Sequence, residues 1–267
     1  MSAVGAARPA AVGDLSAAEL LAALAAGGLR AAEPDLDAAD GWRIRRDVKA
    51  AILACFGDRA MASWTVGPFE FHDRANLAPI DPGPDRRIVP GGTAIRAGAH
   101  LAPGVIVMPP SYVNVGAWVG AGTMVDSHVL VGSCAQIGER VHVGAGVTIG
   151  GVLEPSGARP VIVEDDAFVG AGARLLEGVL VGRGAVIGAG VILTGTSRLF
   201  DLVGERELAG TPDRPLAVPP GAVVVPGSRP APGAWAGERG LAIATALIVK
   251  RRDPGTDARV ALEAALR

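Results

Sequence analysis

From Val89 onward the chain places a branched aliphatic at every sixth position, with small residues and glycines recurring between. Stepping by six, the apolar positions are Val89, Ile95, Leu101, Val107, Val113, Val119, Val125, Val131, Ile137, Val143 and Ile149 and, after an interruption, Val163, Val169, Leu175, Val181, Ile187 and Leu193. Every one of them is a branched aliphatic. Four residues after each except Ile149, at the interruption, comes a small or β-branched side chain, as at Thr93, Ala99, Val105 and Ser111, with glycines recurring between, as at Gly120, Gly132, Gly138 and Gly144. A period of six fits neither the α-helical turn nor the heptad, whereas a short strand closed by a glycine-assisted turn uses about six residues. Three such units close a triangular coil of about eighteen residues, and successive coils stack by parallel hydrogen bonding at about 4.8 Å with their aliphatics in inward ladders. The spacing predicts one inward column of Val89, Val107, Val125 and Val143 and a second of Ile95, Val113, Val131 and Ile149.

The interruption has a length that matters. Ile149 and Val163 are fourteen residues apart, one regular step plus eight. Read as a further unit carrying a two-residue excess, this interval keeps a strand on the coil while Glu154-Pro155-Ser156-Gly157 bulges out as a loop, the 154–162 segment. The pattern fades after Leu199 and returns at Val218 and Val224, across a polar segment from Gly204 to Arg214.

Three regions follow. Residues 1–84 read as a small helical cap, with helical periodicity from Leu15 to Leu29 (Leu15, Leu20, Leu21, Leu24) and from Asp40 to Phe56, then a proline-rich linker from Pro79 to Pro84. Such a cap is expected to cover the open edge of the first coil. Residues 85–228 are the β-helix. Residues 229–267 form a C-terminal extension with an apolar strand-like run, Leu241 to Val249, the basic triplet Lys250-Arg251-Arg252 and a helix from Asp257.

Composition narrows the interior and the partners. Aromatic residues make up 4% of the chain against 49% hydrophobic residues and 38 glycines, so the core is built from small and β-branched side chains. A net charge of −2 with no long basic run gives no attraction to nucleic acid or an acidic membrane, which leaves small molecules and copies of the chain itself as partners. Asp14 and Glu19 interrupt the Ala-rich stretch, so it reads as an amphipathic helix rather than a signal peptide, and no apolar run approaches the roughly 18 residues of a membrane span. Cys55 and Cys134 lie far apart and suggest no disulfide framework, as in a reducing, cytoplasmic compartment.

The six-residue repeat resembles that of left-handed parallel β-helix proteins, and the hand is taken from that resemblance. The resemblance implies an acyltransferase, although non-catalytic and metal-dependent members of the class exist. Zinc held as in the β-helical carbonic anhydrases needs three converging histidines, and His100, His128 and His142 fall five, three and five places after a ladder aliphatic with no His-x-His pair. A single histidine base remains open at His128 or His142, against the reading of each as outward-facing and solvated. No glycine-rich strand-to-helix phosphate loop occurs, which favours coenzyme A over a nucleotide sugar.

The segments Met108-Pro-Pro-Ser-Tyr-Val-Asn-Val-Gly-Ala, Gly122-Thr-Met-Val-Asp, Val131-Gly-Ser-Cys-Ala-Gln-Ile-Gly, Ile149-Gly-Gly-Val-Leu-Glu-Pro and Glu177-Gly-Val-Leu-Val resemble, in order and spacing, the tetrahydrodipicolinate N-succinyltransferase family. The likeness runs from about Arg87 to Arg252. It implies transfer of succinyl from succinyl-CoA, a co-substrate rather than a resident cofactor, to the amino group of 2-amino-6-oxopimelate in lysine and diaminopimelate biosynthesis, by a homotrimer. It implies that Arg87 binds substrate, that Asp126 binds substrate and is catalytic, and that Glu177 is catalytic. A dicarboxylate acceptor calls for a guanidinium fork, and an attacking amine must hand a proton to a base such as a carboxylate. Lys250 is the candidate partner for coenzyme A phosphates. The chain departs from the family at His128, where an aromatic is usual, and in Gly-Ala-Gly-Ala-Arg-Leu-Leu before Glu177, so an acetyl-CoA-dependent N-acyltransferase or a non-catalytic scaffold stays open as an alternative. Counting faces from Val89 puts Asp126 on the first face of the third coil and Glu177 on the third face of the fifth, too far apart for one acceptor within one subunit. The register therefore predicts active sites shared between subunits.

Overall fold

The computed structural model describes residues 12–253 and residue 255. The helix expected from Asp257 lies outside the described residues. From Arg87 the chain winds as a left-handed parallel β-helix whose two-residue strands form three sheets. Face one stacks Ile88, Val107, Val125, Val143, Val169, Ile187 and Val224 inward. Face two stacks Ile95, Val113, Val131, Ile149, Leu175 and Leu193, and face three stacks Leu101, Val119, Ile137, Val163, Val181 and Val218. These aliphatics, with the small residues four places later, make one continuous dry core. Burying each valine or leucine is worth about 1.5–3 kcal/mol, and Val131, Ile137 and Val143 are wholly inaccessible.

Two register expectations are corrected. The first column starts at Ile88 and not at Val89, because Ile88 pairs with Val107. Val163 pairs with Ile137 on face three, so the interval after Ile149 contains no strand of its own. It is an excursion of eight extra residues at the corner between faces two and three. Everything beyond it moves back by one face, and Leu175, paired with Ile149, belongs to face two of the fifth coil rather than face three. A second excursion, from Leu193 to Val218, leaves the helix at that same corner one coil past Leu175. It carries an antiparallel hairpin, Arg198–Asp201 with Arg206–Ala209.

The N-terminal unit contains helices and strands. Helix α1 (Ala17–Ala25) begins at a capping box of Ser16 and Glu19. Strand β1 (Ala32–Pro34) pairs antiparallel with β2 (Trp42–Ile44), and helix α2 (Arg46–Cys55) follows directly. The stretch expected to be helical from Asp40 is thus extended up to Ile44. Trp42 and Ile44 pack with Ala32 onto Ile162 and Leu180 of face three, which a helix at that point would not reach. Beside them Arg30 lies between the rings of Trp42 and Trp118, and burial pushes its guanidinium down to about 10. Helices α1 and α2 lie against the corner between faces two and three, where Gly98 faces Leu21 and Gly116 faces Ile52 and Cys134. They flank the solenoid rather than close its end. The first coil is closed by the proline-rich linker: Ile80 donates its N–H to Ile95 O and packs on the core, and Ala78 O accepts from Ala97.

Past the hairpin β3 (Met61–Val66) and β4 (Phe69–Arg74) and the coils, the far end is covered by Ala222–Pro230, which runs from the last coil into an antiparallel pairing with Ala242–Arg251. Asp201 is buried beneath this cover. Burial raises its carboxyl, but hydrogen bonds from the Gly204 N–H, Arg251 and Arg206 outweigh that and hold it below the usual carboxylate range.

Candidate functional site

In the regular corners of the helix one residue, the third after the inward aliphatic, adopts a left-handed backbone, whether glycine, as at Gly98, Gly116 and Gly146, or not, as at His128, Cys134, Arg140 and Asp166. The corner after Leu175 differs. Gly178 holds the expected left-handed place with φ +73, and Glu177 before it is left-handed too, with φ +52. A residue with a Cβ loses about 1–2 kcal/mol there, so the surroundings must impose the conformation. They are dense on the main-chain side. Gly195 of the next coil lies over the Glu177 carbonyl, where an added Cβ would collide. The guanidinium of Arg159 donates from Nε to Gly178 O at 2.8 Å. The Glu177 side chain itself is exposed.

Glu177 therefore stands between the two excursions, one coil above the first and one below the second. The first is held from the N-terminal unit: Lys49 of α2 is fully buried and its Nζ donates to Ala158 O at 2.6 Å and Pro155 O at 3.3 Å. Burial pushes the Lys49 ammonium below the usual lysine range. Burial likewise pushes the neighbouring Cys134 thiol up to about 12, so it behaves as a packing group and not a nucleophile. Sequence reasoning missed Lys49 and Arg159. Lys49 carried a signal, since it shares the helical stripe of Val48, Ile52 and Cys55, all buried. Arg159 carried none, being one polar residue in an irregular segment.

Asp126 opens the corner between faces one and two on the third coil. Its main chain is locked, with its N–H on Val143 O at 2.9 Å and its carbonyl accepting from Ser111 Oγ at 2.8 Å. One carboxylate oxygen takes the Ser127 N–H at 2.7 Å, which leaves the other available on a half-buried side chain. Arg87 is exposed on the outer side of face one at the first coil, the same flank of the molecule as Asp126. Face two lies between the Asp126 corner and the Glu177 corner. Its width is up to about 20 Å and the two coils between them add about 10 Å along the axis, so the two carboxylates do not meet within one chain. Lys250 is remote from both, on the terminal strand, ion-paired to Asp253 at 2.8 Å.

The histidines do not converge: His100 is on the outer side of face three, His128 at the Asp126 corner and His142 on face one. His128 is exposed, but His142 is buried and stacked on Phe168 at 4.9 Å, which corrects the expectation of a solvated ring. A cleft of about 470 Å³ at the far end of face two, lined by Ile192, Ser197, Arg198, Arg229 and Thr245, contains neither carboxylate. Among the described residues no helix is long and apolar enough to cross a membrane.

Known proteins share both the repeat and the length of this chain. Residues 160–195 match a family model described as the hexapeptide repeat of succinyl-transferase. A solved structure from Campylobacter jejuni, described as a 2,3,4,5-tetrahydropyridine-2-carboxylate N-succinyltransferase, aligns with a TM-score of 0.52 at 22% identity, over 89% of this chain and 63% of that one, and so shares the fold. Curated relatives named 2,3,4,5-tetrahydropyridine-2,6-dicarboxylate N-succinyltransferase are nearer in sequence. The Azoarcus protein is 42% identical over 98% of this chain and 92% of its own length, and the Granulibacter bethesdensis protein 40% identical over 93% and 88%. With the coils, both flanks and the lengths all in correspondence, the chain belongs to the 2,3,4,5-tetrahydropyridine-2,6-dicarboxylate N-succinyltransferase family.

Proposed function

We propose that the protein transfers the succinyl group of succinyl-CoA to the amino group of 2-amino-6-oxopimelate, the hydrated open form of tetrahydrodipicolinate, as a step of lysine and diaminopimelate synthesis in the cytoplasm. The observation that carries this reading is its near-complete coverage of relatives bearing that name. In the reaction the free amine attacks the thioester carbonyl, the nitrogen gives up a proton, and the collapsing tetrahedral adduct expels the thiolate, which takes a proton to leave as coenzyme A. Asp126 and Glu177 supply the carboxylates: one orients the amine and one receives and returns the proton. Asp126 suits the first task because its remaining oxygen is fixed by a locked corner. Glu177 suits the second because its backbone is held while its side chain is exposed. Arg87 is the guanidinium for an acceptor carboxylate. Lys250 exchanges Asp253 for a coenzyme A phosphate when the donor binds.

We further propose a homotrimer in which one subunit's Glu177 corner meets the next subunit's Asp126 corner. The N-terminal unit covers much of face three and lies along the corner between faces two and three, but the Glu177 side chain on that corner stays exposed and the Asp126 corner lies a full face away, which supports a neighbour's access to both carboxylates. The reaction is tested by following thiol release from succinyl-CoA with and without the acceptor. Release that depends on the acceptor and is much faster with succinyl-CoA than with acetyl-CoA is expected. Faster turnover of acetyl-CoA would transfer the reading to an acetyltransferase, and failure to bind either thioester would make the chain a scaffold.

A further inference from the structure

We infer that Arg159 is a positioning residue for Glu177, a reading that rests on the proposed catalytic role of that glutamate. Its side chain is almost fully withdrawn from solvent, 5% exposed, and its guanidinium joins four separate segments. Nε donates to Gly178 O at 2.8 Å, one nitrogen reaches the Asp40 carboxylate at 2.6 Å, and the other donates to Pro215 O at 2.8 Å and Leu216 O at 3.0 Å. The N-terminal unit, the first excursion, the Glu177–Gly178 turn and the return of the second excursion are thereby fixed to one planar group. The Glu177 turn also carries an additional left-handed residue that has a Cβ. That conformation is costly on its own and relaxes unless something holds the following carbonyl. Arg159 is the charged group that does so, through its Nε bond to Gly178 O, next to Glu177. A guanidinium whose donors tie its own segment to three others sets the direction in which Glu177 leaves the coil, and a displacement of about 1 Å at a reacting group costs up to about 100-fold in rate.

The experiment is a double-variant cycle on the full-length protein. Arg159→Gln and Asp40→Asn are each combined with Glu177→Gln, and kcat and the KM for each substrate are measured beside melting and oligomeric state. Arg159→Gln is expected to lower kcat about 10- to 100-fold with both KM values within about 3-fold, and Asp40→Asn to lower it less, because the carbonyl bonds survive. In the Glu177→Gln background either change is expected to cost less than about 2-fold, since the group being positioned is gone. A folded Arg159→Gln enzyme with wild-type kcat, or a loss of the same size with and without Glu177, would overturn the inference. If Arg159→Gln does not fold, Asp40→Asn decides by the same criterion. Should Glu177→Gln alone retain wild-type kcat, the catalytic reading of Glu177 fails and this inference with it, a result distinct from an Arg159 effect that is independent of Glu177.

Discussion

A glutamate with φ +52 beside a glycine with φ +73 inverts the usual ranking of small substitutions. In most positions glycine is the worse replacement because it gains freedom in the unfolded chain. At position 177 the left-handed backbone penalises any Cβ by about 1–2 kcal/mol, so Glu177→Gly is expected to be more stable than Glu177→Ala by about 1 kcal/mol in urea unfolding, with both variants inactive. Equal stability, or the reverse order, would show that this turn is not left-handed. The position could be found in the sequence only through its likeness to a family. Its conformation could not, since the third corner residue, Gly178, already satisfies the turn and nothing in the local sequence demands a second left-handed residue.

At the scale of the coil, the ladder of branched aliphatics was legible because inward positions are dictated by a period that no other regular structure shares. The errors came where that period gave two solutions. Ile88 and Val89 are both branched aliphatics, so either fits the base of face one, and only the pairing of Ile88 with Val107 decides. An interval of fourteen residues is equally well a strand with a bulge or a corner excursion, and the hydrogen bond from Gln136 to Val161 selects the second. Trp42 and Ile44 fell inside the stretch read as helical from Asp40, yet they stand two apart, the spacing of one strand face, and pack on face three in that form. The ladder itself makes a firm expectation. Val131 is fully buried among Val113, Ile149 and the facing aliphatics. Val131→Asp would place an unpaired carboxylate there at a cost above about 4 kcal/mol, so the variant should unfold or aggregate. Melting like that of the wild type would contradict the inward column.

Both excursions, the N-terminal helices and Glu177 occupy one edge of the prism, the corner between faces two and three, while Asp126 occupies another. Moving Leu175 from face three to face two changed which corner carries Glu177 but not the consequence, because a full face still separates the two carboxylates. The proposed trimer would resolve this. A heterologous contact brings unlike corners together, and three-fold closure repeats it at every interface. The most direct test is complementation between Asp126→Asn and Glu177→Gln subunits, dissociated and reassembled in equal amounts. Each homotrimer should be slower than wild type by about 100-fold or more. Random mixed trimers should regain about a quarter of wild-type activity, because one interface in four then joins an intact Asp126 to an intact Glu177. Mixed trimers of verified composition with no regained activity would contradict a site shared between subunits.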